Sequence, residues 1–361
     1  MKDYISLIIN PGSTSTKIGV YKNLEQITEK TIRHTAEELA PYADILDQFE
    51  FRKSMILSTL DEENIDVKTL DFIMARGGVL PPIPSGVYPV NDAMVHDLRI
   101  GATRHASNLA AIIALSMSRE LGDIPAYIAD PVGIDELQDV ARLSGNAAFE
   151  RKSCFHALNQ KATAKKYARE IGKPYDSLSL IVVHMGGGVS VGSHYMGRVI
   201  DVNQAIDGEG PFSPERSGTL PMGDVIRMCY DGNHSRAEML SMVNGRGGVS
   251  SYLGISDMRE VAAMEEKGDA KAKIVLDAMA YQIAKEIGAA ATVLSGKVDA
   301  ILLTGGIAYN AAVMNRLISR IEFIAPVKLY PGEDELGALA SAGLEVVRDG
   351  VAARPYPYIK E

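Results

Sequence analysis

Cysteine is scarce in this chain of 361 residues. Cys154 and Cys229 stand alone and form no CxxC pair, so neither a disulfide scaffold nor a thiolate metal site is expected, and a reducing compartment suits the sequence. No apolar run approaches the roughly 18–20 residues needed to cross a bilayer. The charged start MKDYISLIIN lacks the long apolar stretch and small-residue cleavage site of a signal peptide. These absences predict a soluble, cytoplasmic protein with no membrane partner. Positive charge is also in deficit: the formal net charge is −9 and the pI near 5.4, which speaks against a nucleic-acid partner. An anionic ligand remains compatible, because a local group of arginines and backbone N–H groups can oppose the global sign. Low-complexity tracts, charge blocks and the GxxxxGK[ST] spacing of a Walker loop are missing as well. With 46% hydrophobic and 23% charged residues the composition is that of a globular protein, and the length suits two domains.

What the chain does contain is one pattern twice. Ser6–Tyr21 reads SLIINPGSTSTKIGVY and Ser179–His194 reads SLIVVHMGGGVSVGSH. Each is a β-branched run, a small-residue turn and an alternating strand, and the two align without a gap, Gly19 over Gly192. Hairpins with hydroxyl-bearing or glycine-rich tips suit the pinching of a polyphosphate from opposite sides, which predicts a duplicated, nucleotide-handling domain. After the first strand pair (Ile5–Asn10, Lys17–Tyr21) come a polar helical stretch from Ala36 to about Asn64 and a strand Phe72–Ala75 running into Arg76-Gly77-Gly78. Leu80–Pro89 holds four prolines and reads as a rigid loop. A helix from Asp97 to about Leu121 and a strand Ala126–Ile128 ending at Asp130-Pro131 follow. The second half gives a helix Asn159–Glu170, the hairpin Leu178–His194, a long loop Asp201–Gly223 and a helix Asp269–Leu294. Strand Ala300–Thr304 then ends in Gly305-Gly306, and strand Val327–Tyr330 precedes a final helix from Glu335 to about Arg348. The order predicts an α/β fold with mixed sheets. Residues 1–153 form the expected first domain, 154–334 the second, with the segment 335–361 packing back on the first.

Several residue groups suit phosphate chemistry, each beside a plainer reading. Gly12–Thr16 offers consecutive N–H groups and four hydroxyls, as would an ordinary polar turn. Gly186-Gly187-Gly188 lets backbone approach a ligand closely; a tight bulge is the alternative. Gly305-Gly306 ends a buried strand and opens a helix, where α/β sheets place ligands. Arg76 and Arg216 carry guanidinium forks that match planar oxyanions, although most arginines are solvated surface charges. His105, His156 and His184 stand beside these motifs, and a lone histidine is more often structural. Asp130 and Glu335 suit Mg²⁺ with its waters, or else a turn and a helix N-terminal charge.

Taken together the motifs resemble the acetate kinase (acetokinase) family of the acetate and sugar kinase, heat-shock chaperone and actin superfamily. The marks are INPGSTSTK, ARGG, RHASNLAAIIA, RKSCFHALNQK, HMGGGVSV, DGEGPFSPERSGTLP, LLTGGIA and YPGEDELGALA, spread over essentially the whole chain. The resemblance implies two duplicated ribonuclease H-like (actin-like ATPase) domains with an ATP cleft between them. It implies reversible phosphoryl transfer between ATP and a short-chain carboxylate, giving an acyl phosphate and ADP, with Mg²⁺ as cofactor and a homo-oligomer as the assembly. Asn10, Ser13, Ser15 and Lys17 resemble the first phosphate loop, Gly186, Gly187 and Gly188 the second, and Gly305 and Gly306 the adenosine loop. Arg76 and Arg216 resemble the two active-site arginines, Asp130 the acidic catalytic residue, and His105, His156 and His184 the active-site histidines. Glu335 resembles the metal-linked glutamate, sharing Mg²⁺ with Asp130. His105 and Val79 join Arg76 in holding the substrate, with Leu80 and Ile83 as further candidates for its apolar lining.

One departure is informative: acetate kinases usually carry a histidine before the glycine pair that follows the first arginine's strand. Here Arg76 is followed at once by Gly77-Gly78 and by a proline-rich loop, which favours the butyrate branch. Butyrate, isobutyrate, valerate and propionate stay open as substrates. A sugar or polyol kinase and a non-catalytic ATP-binding module are the alternatives, and the two arginines argue against both. Cys154, two residues before His156, raises the expectation that thiol modification impairs activity.

Overall fold

The computed structural model describes residues 2–101 and 105–357. The chain divides into two compact units: one runs through Ile134 and resumes at Asp334, and the other is Asp135–Glu333. The first contains β1 (Ile5–Pro11), β2 (Ser15–Lys22), β3 (Glu25–Arg33), β4 (Phe72–Arg76), β5 (Val87–Pro89) and β6 (Ala126–Ala129), in spatial order β3-β2-β1-β4-β6-β5. β1 to β3 form an antiparallel meander, β4 and β6 run parallel to β1, and β5 closes the far edge antiparallel to β6.

The near-continuous apolar run of β1 is what a strand covered on both faces requires. Leu7 and Ile9 pack with Ile73, Ile56, Leu60 and Leu109, below the helices Phe49–Glu62 and Asn108–Glu120. Alternate residues point to the other face. There the C-terminal helix Glu335–Val347 lies on the sheet, and a Cβ at Gly343 would collide with Phe72 and Met74. Beyond it, Arg354 N–H donates to the carbonyl of Val87 and the Tyr356 hydroxyl to Asp97, while residues 358–361 of the expected C-terminal segment lie outside the described residues.

The second unit contains β7 (Ser179–Met185), β8 (Val189–Tyr195), β9 (Arg198–Val202), β10 (Ala300–Gly305) and β11 (Val327–Pro331), in order β11-β10-β7-β8-β9. β7 to β9 are again an antiparallel triplet, with β10 and β11 added in parallel beside β7. Both units therefore share one topology, to which the first adds β5. Ile181 and Val183 pack with Met279, Ile283 and Ile287 of the 24-residue helix Ala270–Val293. Leu180 and Val182 face Ala164 and Tyr167 of helix Ala157–Glu170.

The duplication is faithful in topology and offset in register. Pro11 pairs with Thr16, whereas Met185 pairs with Val189, so the first tip is one residue longer. Gly19 still lies over Gly192, but the gap-free alignment puts β1 one residue out against β7. With that residue restored, Leu7 and Ile9 match Ile181 and Val183, the residues on the corresponding core face. A one-residue slip would have turned every side chain to the wrong side.

Four further differences have local causes. The segment expected as one helix from Asp97 is two: Asn91 caps Asp92–Ile100, accepting from the Met94 N–H, and Gly101 ends it. β3 escaped notice because EQITEKTIR is a mostly exposed, charged edge strand. Val87–Pro89, expected as loop, pairs at an edge, where proline's missing N–H is tolerated. The expected junction at 153/154 falls instead at 134/135. Residues 135–153 are tied to the second unit by Glu136, which accepts from Lys161 at 2.6 Å and from the Val199 N–H at 2.9 Å, and by the Arg151–Asp201 ion pair at 3.0 Å. Among the described residues no helix is long and apolar enough to cross a membrane.

Candidate active site

In the first unit, β1 and β4 are sheet neighbours whose ends place Asn10 and Arg76 near each other, and the C-terminal helix begins with Glu335. Glu335 Oε2 accepts from Asn10 Nδ2 at 2.6 Å, and Oε1 pairs with the Arg76 guanidinium. Asn10, Ser15, Lys17, Arg76, His105 and Glu335 share a cavity of about 360 Å³ with Gly12, Ser107 and Val132. Lys17 is held at 2.6 Å by Glu29. His105 Nδ1 accepts from the Ser107 N–H at 3.2 Å, which leaves the neutral ring's proton on Nε2. Burial, then the neighbouring Arg76 cation, holds the His105 pKa below its ordinary value.

The first tip depends on a residue that its own sequence does not advertise. Arg52, fully buried, donates to the carbonyls of Gly12 (2.8 Å), Ser13 (2.9 Å) and Ser15 (2.9 Å), to Thr16 Oγ1 and to Gln48. Burial pulls its pKa down to about 10, still a cation at neutral pH. The loop's acceptors are thereby consumed by a buried cation rather than left to face an anion. Ser13 itself is exposed and outside the cavity lining.

Asp130, at the end of β6, adopts φ +42°, and its Oδ1 accepts from Ser85 Oγ at 2.7 Å and the Gly86 N–H at 2.9 Å. A non-glycine residue in that region is uncommon and marks a position held by its surroundings. Val79 is fixed by its N–H to Asn108 Oδ1 at 2.8 Å and does not line the cavity. Leu80 and Ile83, expected to line a substrate pocket, are buried in the hydrophobic core, where their size is used for packing.

In the second unit, His184 precedes the glycine tip. Its Nδ1 lies 2.9 Å from Asn159 Oδ1, and its Nε2 lies 3.5 Å from Glu333 Oε1, an ion pair when the ring is charged. His156 stacks on His184 with centroids 3.8 Å apart and planes 14° from parallel. The three tip glycines have different reasons. A Cβ at Gly186 would crowd His184 Nε2 at 3.1 Å, one at Gly188 would collide with the Arg216 guanidinium, and Gly187 is the most open of the three. Arg216 thus lies across this tip, anchored by Nη1 to the Ala205 carbonyl at 2.7 Å. Gly305, at φ +90°, abuts the Met185 backbone, and Gly306 is open. Burial pushes the Cys154 thiol pKa up, which makes it a poor nucleophile.

The structure gathers Asn10, Ser15, Lys17, Arg76, His105 and Glu335 in one unit, and His156, His184, Gly186–Gly188, Arg216 and Gly305 in the other. Ser13, Val79 and Asp130 stand outside the cavity lining. Arg52, Asn159, Gln160, Ser190 and Glu333 were missed. For Asn159 and Gln160 the signal was available in RKSCFHALNQK, and for Glu333 in YPGEDELGALA; Arg52 had none. As for Mg²⁺, among the described residues no group of three or more His, Cys, Asp or Glu is placed to hold a metal. Mg²⁺ commonly keeps its waters and leans on one or two carboxylates and the substrate phosphates. Glu335, which lines the cavity, keeps lone pairs for such waters, whereas Asp130 stands outside that lining.

The acetokinase family profile matches residues 145–331. Butyrate kinase 1 of Clostridium acetobutylicum is 55% identical over 354 residues, covering 98% of this chain and 99% of that one. Two solved structures share the fold: acetate kinase from Porphyromonas gingivalis (TM-score 0.79, 18% identity, 96% and 100% of the two chains) and a propionate kinase from Francisella tularensis subsp. tularensis SCHU S4 (TM-score 0.73, 17% identity, 94% and 98%).

Two predictions follow from the buried groups. Replacing Arg52 by Met leaves the carbonyls of the first tip without their donor and should cost about 2–4 kcal/mol, read as a lower urea midpoint; an unchanged midpoint would refute this role. His194 is fully buried, and burial, then the Lys161 cation, holds its pKa well below 6.5. The unfolded chain therefore binds the proton that the folded one refuses, so stability present above pH 6.5 is lost as pH falls below it. Urea midpoints at pH 7.5 and 5.5 should differ in that direction, with a shallower dependence in His194→Gln.

Proposed function

This chain belongs to the acetokinase family, and on that premise we propose that it transfers a phosphoryl group reversibly between ATP and butyrate, or a related short or branched-chain carboxylate, giving the acyl phosphate and ADP by direct in-line transfer. A short-chain carboxylic acid with a pKa of roughly 4–5 is ionised at pH 7, so the nucleophile needs no general base. What the reaction needs is alignment and positive charge, as is general for phosphoryl transfer. One observation carries the reading within the first unit: the cavity offers Arg76, His105, Asn10 and Lys17, and its acidic lining residue, Glu335, is held on both oxygens by Arg76 and Asn10. A sugar or polyol kinase would want a carboxylate free to act as base there.

In this reading Arg76 holds the substrate carboxylate, with His105 as a neutral Nε2–H donor. Arg216 neutralises the equatorial oxygens in transit, and its approach to Gly188 supports that role. His184 and His156 donate to the same oxygens; with Nδ1 turned to Asn159, His184 can donate from Nε2 only when doubly protonated. Asn10, Ser13, Ser15, Lys17 and Gly186–Gly188 bind the nucleotide phosphates, and Gly305-Gly306 the adenosine. Mg²⁺, when bound, would supply charge neutralisation on the nucleotide phosphates, and Asp130 and Glu335 are the residues that would hold it through its waters. A cytoplasmic homo-oligomer belongs to the same reading, supported by the exposed apolar residues Met222 and Ile226 of helix Met222–Cys229 and Tyr230, which caps its C-terminus.

Purified protein with MgATP and a panel of carboxylates, the acyl phosphate trapped with hydroxylamine, tests the proposal. Turnover should be highest with four- or five-carbon acids, with on the order of 10–200-fold discrimination per methylene. Arg216→Ala should lower turnover roughly 10²–10³-fold, the equivalent of about 3–4 kcal/mol of transition-state stabilisation. Phosphorylation of a polyol with none of any carboxylate, or full turnover in a folded Arg216→Ala variant, would contradict it.

A further inference from the structure

We propose that Gln160 and Ser190 are positioning residues that lock His156 in its Nε2–H tautomer, so that this ring meets an anionic ligand as a neutral hydrogen-bond donor. The hydrogen-bond chain behind His156 has only one consistent direction, and it can be derived from its fixed end. The Ser190 carbonyl can only accept, and it lies 3.1 Å from Gln160 Nε2, which settles the orientation of that amide. Gln160 Oε1 therefore faces His194 Nε2 at 3.0 Å and accepts its proton. His194 is fully buried beside the Lys161 cation and stays neutral, so its Nδ1 is bare and accepts from the Tyr175 hydroxyl at 2.7 Å.

The remaining Gln160 N–H donates to Ser190 Oγ at 2.8 Å. Ser190 is itself fully buried, so its hydroxyl hydrogen needs an acceptor within the protein. That acceptor is His156 Nδ1, 2.9 Å away. A bare Nδ1 puts the ring proton of neutral His156 on Nε2. Gly192 makes the arrangement possible: a Cβ there would collide with Gln160 Oε1.

The stacking on His184 gives the tautomer a purpose. Two imidazolium rings with centroids 3.8 Å apart would repel. With His156 kept neutral, a single positive charge can reside on His184, between Asn159 Oδ1 and Glu333 Oε1. The pair then presents one charged and one neutral donor. The tautomer assignment stands on geometry alone, whereas its kinetic consequence rests on the proposed phosphoryl transfer.

Long-range ¹H–¹⁵N correlation spectra of the full-length protein distinguish protonated from bare ring nitrogens and test the assignment without any turnover. His156 should show a protonated Nε2 and a bare Nδ1 at pH 7.5. Ser190→Ala should mix the two tautomers, lower kcat about tenfold and shift the acid limb of the pH–rate profile; Ser190→Thr, which keeps the hydroxyl, should restore all three. Gln160→Met serves the same end should Ser190→Ala not fold. A wild-type His156 protonated on Nδ1 overturns the proposal whatever the activity. The expected tautomer together with full turnover and an unmoved pH profile in Ser190→Ala overturns the positioning role. Absence of acyl phosphate formation by the wild-type protein would instead refute the function on which the kinetic part rests.

Discussion

The buried guanidinium of Arg52 illustrates the constraint on which the rest of the site depends. A surface that binds a polyphosphate or a carboxylate must offer donors and charge while keeping its own acceptors occupied. A hairpin tip cannot do this unaided, because each residue brings a carbonyl along with its N–H. In the first unit, Arg52 absorbs the carbonyls of Gly12, Ser13 and Ser15 from below. In the second, the problem is solved with glycine and histidine: Arg216 lies over Gly188, and the relay through Gln160 and Ser190 occupies the His156 lone pair. Holding the Arg52 cation in the interior has a cost, expressed in its lowered pKa, and the return is that the carbonyls of the tip are bonded.

The same principle explains the economy of the proposed chemistry. An ionised carboxylate is already a nucleophile, and the obstacle is its repulsion from an anionic phosphoryl group. Fixed donors and guanidinium groups lower that barrier without reorganising during the reaction, which is where preorganised electrostatics are most effective. Glu335 fits this scheme as the group that steadies Arg76 through an ion pair and Asn10 through a hydrogen bond. A neutral His156 adds a donor without adding repulsion against the stacked His184 ring.

Much of the fold was legible because its signals are local. The β-branched runs of β1 and β7, the glycine tips and the strand-ending Gly305 all announce themselves over a few residues. The duplication was visible, though its register was not, since a gap-free alignment cannot reveal that Gly12–Ser15 is one residue longer than Gly186–Gly188. Charged edges such as β3 carry no hydrophobic signature. The junction was misplaced because Glu136 and Arg151 find their partners well downstream, at Lys161, Asp201 and Glu209. Asn10, Arg76 and Glu335, each in a motif of its own, are brought together by the fold, whereas Arg52 and Ser190 make contacts that only the folded chain creates. Leu80 and Ile83 show the converse: apolar residues beside a site motif were read as pocket and are core.

The central claim is that the protein contributes alignment and fixed donors, with neither a covalent enzyme intermediate nor a general base. The stereochemical course at the transferred phosphorus tests this most directly, using ATP made chiral at its γ-phosphate with oxygen isotopes and a short-chain carboxylate as acceptor. Direct in-line transfer predicts inversion of configuration in the acyl phosphate. Retention would require a phosphorylated enzyme group and would contradict the account.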